Sequence, residues 1–459
     1  MFFAARSQLV YNASNERDAW GLVINSKLNL FYHKLPLPHK CMELNYKKIG
    51  LLIGFVALVA VLGFLIYFLF FRAAPATVTP GSEVTSTGAG QLPSAGIGAG
   101  GGEVIPGGGS LPSGSEVATE TTGAQTKPQP DAVAAGGLTQ TTSLSDAPTL
   151  APTLGANGSD MLYYNKNDGK FYRSNQNGTA FLLSDKTFFD VQNVTWAPDK
   201  QKAVIEYPDG ANIVYNFQTD QQYSLPAHWK DFDFSPDSAR IVAKSIGSDP
   251  DTRWLMVAND DGSQAQALEP IGDKDATVYP SWSPNNLSVA TYSESIDFDR
   301  QRLYFVGLNH ENFKSTVIEG RGFEEQWSPA GESLLYSVYN SGTQLKPTLW
   351  VVDAKGESIG AGRTDLNLQT WAHKCTFADS ATLYCAVPNS LPEGAGLFPE
   401  LAQQSVDSLY KVNLKTGAQT LVAVPDGNYN MENITVSADG STLYFSDALS
   451  GRLRTIRLK

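Results

Sequence analysis

Cys375 and Cys385 are the residues of this chain whose types and spacing most directly imply a covalent reaction. Between them lies a stretch, 378–381, that can turn. A turn centred on Ser380 makes the flanking residues two antiparallel strands and sets the cysteines opposite each other. Opposed residues of a non-hydrogen-bonded pair have Cα atoms ~4.5 Å apart, at the lower end of what a disulfide spans. The expected chemistry is oxidation to a clip that closes a short loop and stabilises the fold by about 2–3 kcal/mol. The third cysteine, Cys41, falls on the far side of a candidate membrane segment, away from the compartment in which disulfides persist.

Other candidates for chemistry are sparse. His33, His39, His228, His310 and His373 form neither H-x-x-x-H nor H-x-H, and no cysteines stand at metal-ligand spacing. No metal, cofactor or catalytic residue is assigned. Asn165, Asn167 and Gly169 match only the start of a calcium loop and read better as a hairpin turn. The G-I-G-A-G-G run at 96–101 has the spacing of a dinucleotide fingerprint, but no strand precedes it and no helix follows, so it carries no phosphate site. A net charge of −12 and a pI near 5.0 exclude nucleic acid as a partner, since phosphate binding needs a basic stripe.

The cysteines sit within a repeat. V-T-W-A-P-D-K-Q-K-A-V-I-E-Y at 194–207 returns as F-D-F-S-P-D-S-A-R-I-V-A-K-S at 232–245. It returns again as P-S-W-S-P-N-N-L-S-V-A-T-Y-S at 280–293 and E-Q-W-S-P-A-G-E-S-L-L-Y-S-V at 325–338, and more loosely at 375–387 and 434–447. The anchors Trp196, Phe234, Trp282, Trp327, Phe377 and Val436 are 38, 48, 45, 50 and 59 residues apart, the lengths of propeller blades. In each unit a short strand ends in a bulky apolar residue. Ser-Pro-Asp-Gly-type residues then turn the chain, with Pro presetting φ, and further strands follow. Four antiparallel strands make one blade. Trp196, Trp282 and Trp327 recur at one blade position, which marks them as packing between blades rather than as a sugar platform.

The W-S-P of 282–284 and 327–329, the F-S-P-D of 234–237 and the V-D-x-x-G turn at 352–356 resemble the TolB-like, WD-like propeller repeat. The resemblance covers 158–459 and implies an all-β β-propeller of four-stranded antiparallel blades. Seven blades are favoured, with short end blades; six and eight remain open. The family's known roles are ligand or protein binding, gating of peptidases and some lyase activity. No α/β-hydrolase domain with a serine nucleophile elbow is expected after the repeats. The expected function is a protein-interaction or ligand-binding module and not an enzyme. The alternative is a carbohydrate-binding or polysaccharide-active, lyase-type propeller.

Upstream of the repeats, 49–71 is an uncharged run of 23 residues without proline, long enough for one transmembrane helix. It ends in bulky residues, unlike a cleaved signal peptide. Lys40, Lys47 and Lys48 precede it and only Arg72 follows closely. The positive-inside rule then puts residues 1–48 in the cytoplasm and the repeats outside the cell membrane. Met42 opens a short basic lead into the run, so translation is expected to start there and 1–41 to be an upstream extension of the reading frame. Residues 72–157 contain no aromatic residue and consist mainly of Gly, Ala, Ser, Thr and Pro. They are expected to form a disordered linker averaging about 50 Å end to end.

One loop stands out, 388–407, between the second and third strands of the fifth repeat. Its Pro392, Gly394, Gly396 and Pro399 oppose regular structure, while Leu397, Phe398 and Leu401 give it an apolar tip. Long ordered loops are usually functional. These three residues are the candidate partner-binding site for a protein or cell-envelope ligand.

Overall fold

The computed structural model describes residues 129–459 and eight residues between 55 and 65. The chain divides into two units, Met1–Glu116 and Val117–Lys459. In the first, Phe55, Ala57, Leu58, Val59, Val61, Leu62, Phe64 and Leu65 are helical and exposed. No helix among the described residues is long and apolar enough to cross a membrane. Most of the 49–71 run lies outside the described residues, as do Cys41, the Met42 start and the linker through 128.

The second unit is an all-β ring of seven blades, each built on four antiparallel strands. The first blade holds Thr149–Leu154, Met161–Asn165, Lys170–Ser174 and Ala180–Leu182. The second runs from Asn193–Trp196 to Gln222–Leu225, the third from Trp229–Phe234 to Gln266–Pro270, and the fourth from Val278–Pro280 to Thr316–Ile318. The fifth runs from Arg321–Trp327 to Thr364–Asp365, and the sixth from Cys375–Asp379 to Gln419–Pro425. The seventh takes Met431–Val436, Thr442–Asp447 and Leu453–Arg457 from the end of the chain and Thr141–Ser143 from before the first blade. The first strand of each blade lies innermost, next to its counterparts.

Two expected boundaries are corrected. The linker does not extend to 157: Leu138–Thr139, Thr141–Ser143 and Thr149–Leu154 are strands. The first blade therefore does not lack its innermost strand, since Thr149–Leu154 supplies it. The segment looks like linker because its apolar residues stand singly among Thr, Ser, Ala and Pro. Leu144 is buried partly by neighbours far along the chain, Tyr444 and Leu453, together with Met161 and Tyr163. The same segment closes the ring. Leu138–Thr139 adds a parallel fifth strand to the sixth blade, Ala134 N–H donates to the Arg457 carbonyl, and Thr141–Ser143 pairs with Leu453–Arg457. The sheet edges that an open ring would expose are thus covered.

Apolar packing lies between blades. Seven clusters each draw residues from two neighbouring blades, such as Val214, Trp229, Phe234 and Ile241 between the second and third. Burial of this kind is the main stabilising term of the fold. The repeated turn has its own logic. Ser235, Ser283 and Ser437 each accept, through Oγ, the N–H of the residue five positions on, at 2.9, 2.9 and 3.0 Å. Each donates to a side chain two positions on, namely Asp237, Asn285 and Asp439 at 2.5, 2.7 and 2.6 Å. The motif satisfies its own buried polar groups within one turn. Ala197 lacks the hydroxyl but keeps the backbone bond to Lys202.

This antiparallel winding gives the ring two unlike faces. Joins between first and second and between third and fourth strands lie on one face, the turn face. Joins between second and third strands and from blade to blade lie on the other, the loop face.

Candidate functional site

The loop face gathers the features expected of a site. Of the eleven large apolar side chains exposed among the described residues of the second unit, seven are on this face: Phe189, Ile296, Phe298, Leu397, Phe398, Leu401 and Leu449. The turn face has Leu287, and the rest lie on outer strands. Single exposed apolar residues need no explanation, but a concentration on one face does.

Leu397, Phe398 and Leu401 are 40%, 51% and 53% exposed at the tip of the loop. The loop holds a short 3-10 turn, Pro399–Ala402, where proline can start a helix. It also has a small core of its own, in which Leu391, Ala395 and Ala402 pack on Trp371. Gly394 and Gly396 N–H groups donate to the Gln344 and Leu345 carbonyls of the fifth blade. At its stem is a buried polar latch. Lys374 Nζ donates to Asp407 at 2.7 Å and to Asn430 at 2.6 Å. Asp407 also accepts the Met431 N–H at 2.6 Å. The Asn430 amide donates to the Ala402 and Gln403 carbonyls. Burial pushes the Asp407 carboxyl up, and Lys374 acts against that push. The latch ties loop, sixth blade and seventh blade together, so the apolar tip rests on a fixed base.

Beside the loop is a groove of about 430 Å³. His373, Glu432 and Leu449 line it with the loop's Glu400 and Gln403. His373 Nδ1 lies 2.8 Å from Glu324 Oε2 on the innermost strand of the fifth blade. This places a histidine–carboxylate pair, half exposed, at the mouth of the central channel.

Two further carboxyls on innermost strands, Asp233 of the third blade and Glu325 of the fifth, are largely enclosed by protein. Asp233 accepts the Phe234 and Trp282 N–H groups at 2.8 and 2.6 Å, and burial raises its pKa to about 6. Glu325 accepts from Thr291 Oγ1 at 2.9 Å, and burial, helped by the charge of Asp233, raises its pKa to about 7. Both reach blade four, one from each neighbouring blade. In the first, third, fifth and seventh blades the innermost strand is bulged, with Ala151, Asp231, Gly322 and Asn433 in the left-handed region. Such bulges re-aim the residues beyond them, here Asp233 and Glu324. Gly322 is required twice: its φ is +65°, and a Cβ there would collide with the Tyr339 ring.

Cys375 and Cys385 are register partners on the first two strands of the sixth blade. Their Cα atoms are 4.1 Å apart and their sulfurs are joined. Both are buried between the fifth and sixth blades, where they hold a strand pair and line no groove. The tryptophans pack between blades. Trp196 lies against Phe171 and Phe217 and donates to the Ala151 carbonyl; Trp327 donates to Ser281 Oγ. Asn165 Oδ1 accepts the Asn167 N–H within a hairpin turn. Among the described residues no group of three His, Cys, Asp or Glu could hold a metal.

One pattern that a repeat-based reading overlooks is G-E-S-I-G at 356–360, which has nucleophile-elbow spacing. It lies on the hairpin after the third strand of the fifth blade, where Ser358 Oγ donates to the Lys355 carbonyl. A hairpin turn lacks the strand-to-helix context of the elbow, so the match carries no nucleophile. The latch and the His373–Glu324 pair also escape sequence reading, because their members lie 33 to 56 residues apart and share no motif.

No protein-family model matches the chain, and no curated protein matches it in sequence. Several solved structures resemble it. An oligogalacturonate lyase in complex with manganese is 15% identical over 70% of this chain and 93% of that one, with a TM-score of 0.46. The tricorn protease is 12% identical over 68% of this chain and 34% of its own, with a TM-score of 0.45. The Cps50 (Swd1) β-propeller domain from Myceliophteria thermophila is 9% identical over 70% of this chain and 100% of its own, with a TM-score of 0.44. Likenesses at this level say nothing of activity, and the seven-bladed ring stands on the strand topology of the chain itself.

Proposed function

We propose that this chain is a membrane-anchored, extracytoplasmic propeller of the TolB-like, WD-like repeat type. Its loop face binds a protein or cell-envelope ligand. The observation that carries this reading is the loop at 389–406: it exposes Leu397, Phe398 and Leu401 while a buried latch fixes its stem. An apolar tip on a rigid base lowers the entropy cost of binding. Anchoring is supported by the uncharged 49–71 run and by its basic N-terminal flank. It is also supported by helical residues whose apolar side chains are exposed, as a lipid-facing helix requires. External protease on intact cells should release a soluble fragment that begins in the linker. A propeller that stays protected until the membrane is breached would overturn the orientation.

The second reading, a carbohydrate-binding or polysaccharide-active propeller, draws on His373 and Glu324 at the channel mouth. A carboxylate-oriented imidazole is a usable general base. Incubation with envelope polysaccharides should yield new chain ends that vanish in His373→Asn if this reading holds; no release from any of them removes it.

A further inference from the structure

The groove between the 389–406 loop and the seventh blade constrains the chemistry of what it binds. Its polar lining is acidic. Glu400 and Glu432 face it, and among the described residues neither side chain has an ion-pair or hydrogen-bond partner. Glu324 adjoins it through His373. The one lysine of the lining, Lys374, is 2% exposed and neutralised by Asp407. Any charge on His373 is offset by Glu324 at 2.8 Å. The accessible field is therefore negative, and an acidic polymer would be repelled. Leu449 lines the groove and is 59% exposed, and Leu401 and Phe398, 53% and 51% exposed, stand on the adjoining loop. These surfaces gain from apolar partners, and Trp371, buried at 5% exposure beneath the loop, offers a sugar ring no open face.

From this we infer that the groove takes an extended polypeptide segment of another protein in which lysine or arginine alternates with leucine or phenylalanine. The cationic side chains meet Glu400 and Glu432, and the apolar ones cover Leu401, Leu449 and Phe398. This rests on the binding reading above and adds the class of ligand.

The test uses the full chain in nanodiscs of zwitterionic lipid and a fluorescein-labelled hexapeptide, Lys-Leu-Lys-Phe-Lys-Leu, with a Glu-Leu-Glu-Phe-Glu-Leu control. Binding is read by anisotropy; lipid contributes equally to every protein variant. The basic peptide should bind and the acidic one should not. Affinity should fall with added salt. It should fall about tenfold in the Glu400→Gln/Glu432→Gln double variant, whose isosteric changes at solvent-facing positions spare the fold. Equal binding of both peptides, or no loss in the double variant, overturns the inference. If shortening the loop still abolishes capture of the native partner while the basic peptide fails to bind, the binding reading stands and the ligand class falls.

Discussion

The two faces of the ring are made from the same strands and yet differ in kind. On the turn face, Ser235, Ser283 and Ser437 satisfy the same hydrogen bonds in the same way. Most of the turns are short, 307–315 and 354–363 being the longer ones, and among the described residues Leu287 is the one large exposed apolar side chain on this face. On the loop face the connections range from the tight turn at 166–169 to the long loop at 389–406, and seven large apolar residues reach solvent there. Repetition marks where sequence serves the fold. Departure from repetition, with exposed apolar surface, marks where it serves something else. Between the faces, on innermost strands, Asp233 and Glu325 hold blade four from both sides.

This contrast can be broken at several points. The largest effect is expected at the loop-face latch. Lys374→Met leaves Asp407 buried without its cation, and losing one partner of a buried pair costs about 3–5 kcal/mol. Chemical denaturation should show that loss, and hydrogen exchange should rise first in 389–406. Unchanged exchange in the loop would mean the latch does not hold it.

A smaller change follows pH. The folded pKa values of Asp233 and Glu325 are raised to about 6 and about 7, so the folded state binds protons more tightly than the unfolded state. Their contribution should grow as pH falls from 8 to about 5 and shrink as it rises again, each tenfold gain in proton affinity on folding being worth ~1.4 kcal/mol. Asp439 acts oppositely: the Ser437 hydroxyl lowers its pKa to about 2, and its contribution fades only below about pH 4. Melting of Asp233→Asn/Glu325→Gln should be flatter across pH 5–8; a slope equal to wild type would remove these groups as its source.

The disulfide is comparable in size. Cys385→Ser should cost about 2–3 kcal/mol by loop entropy without altering the loop face, because the pair lies between blades five and six. Mass spectrometry of the non-reduced, exported protein should find Cys375 linked to Cys385; free thiols at both would refute the bond. The smallest effect belongs to the turn face. Ser235→Ala removes one turn network at a cost of about 1 kcal/mol and should leave ligand capture unaltered.

Much of the ring is legible in the sequence because blades repeat. The six anchors, the Ser-Pro turns and the alternation of strands such as 203–207 carry local signals, and the favoured count of seven blades follows from them. The spacing of Cys375 and Cys385 is likewise a local matter of one hairpin. What the sequence hides is non-local. The closing strands at 138–143 owe their form to partners some 300 residues away; Thr149–Leu154 pairs with the nearby Met161–Asn165, but its composition, like theirs, resembles linker. The bulges at Ala151, Asp231, Gly322 and Asn433 share no residue type. The loop tip at Leu397, Phe398 and Leu401 is visible as an oddity, but its fixed base depends on Lys374, Asp407 and Asn430 meeting from three places in the chain.

Whether the loop face, and not the turn face, is the binding surface is tested by capturing partners from the native cell surface. Three forms of the full chain are compared: wild type, one with 389–406 cut to a tight turn, and Ser235→Ala. The shortened form should melt as a folded propeller but capture nothing specific, while Ser235→Ala should capture as wild type does. Undiminished capture by the shortened form would contradict a binding role for the loop face.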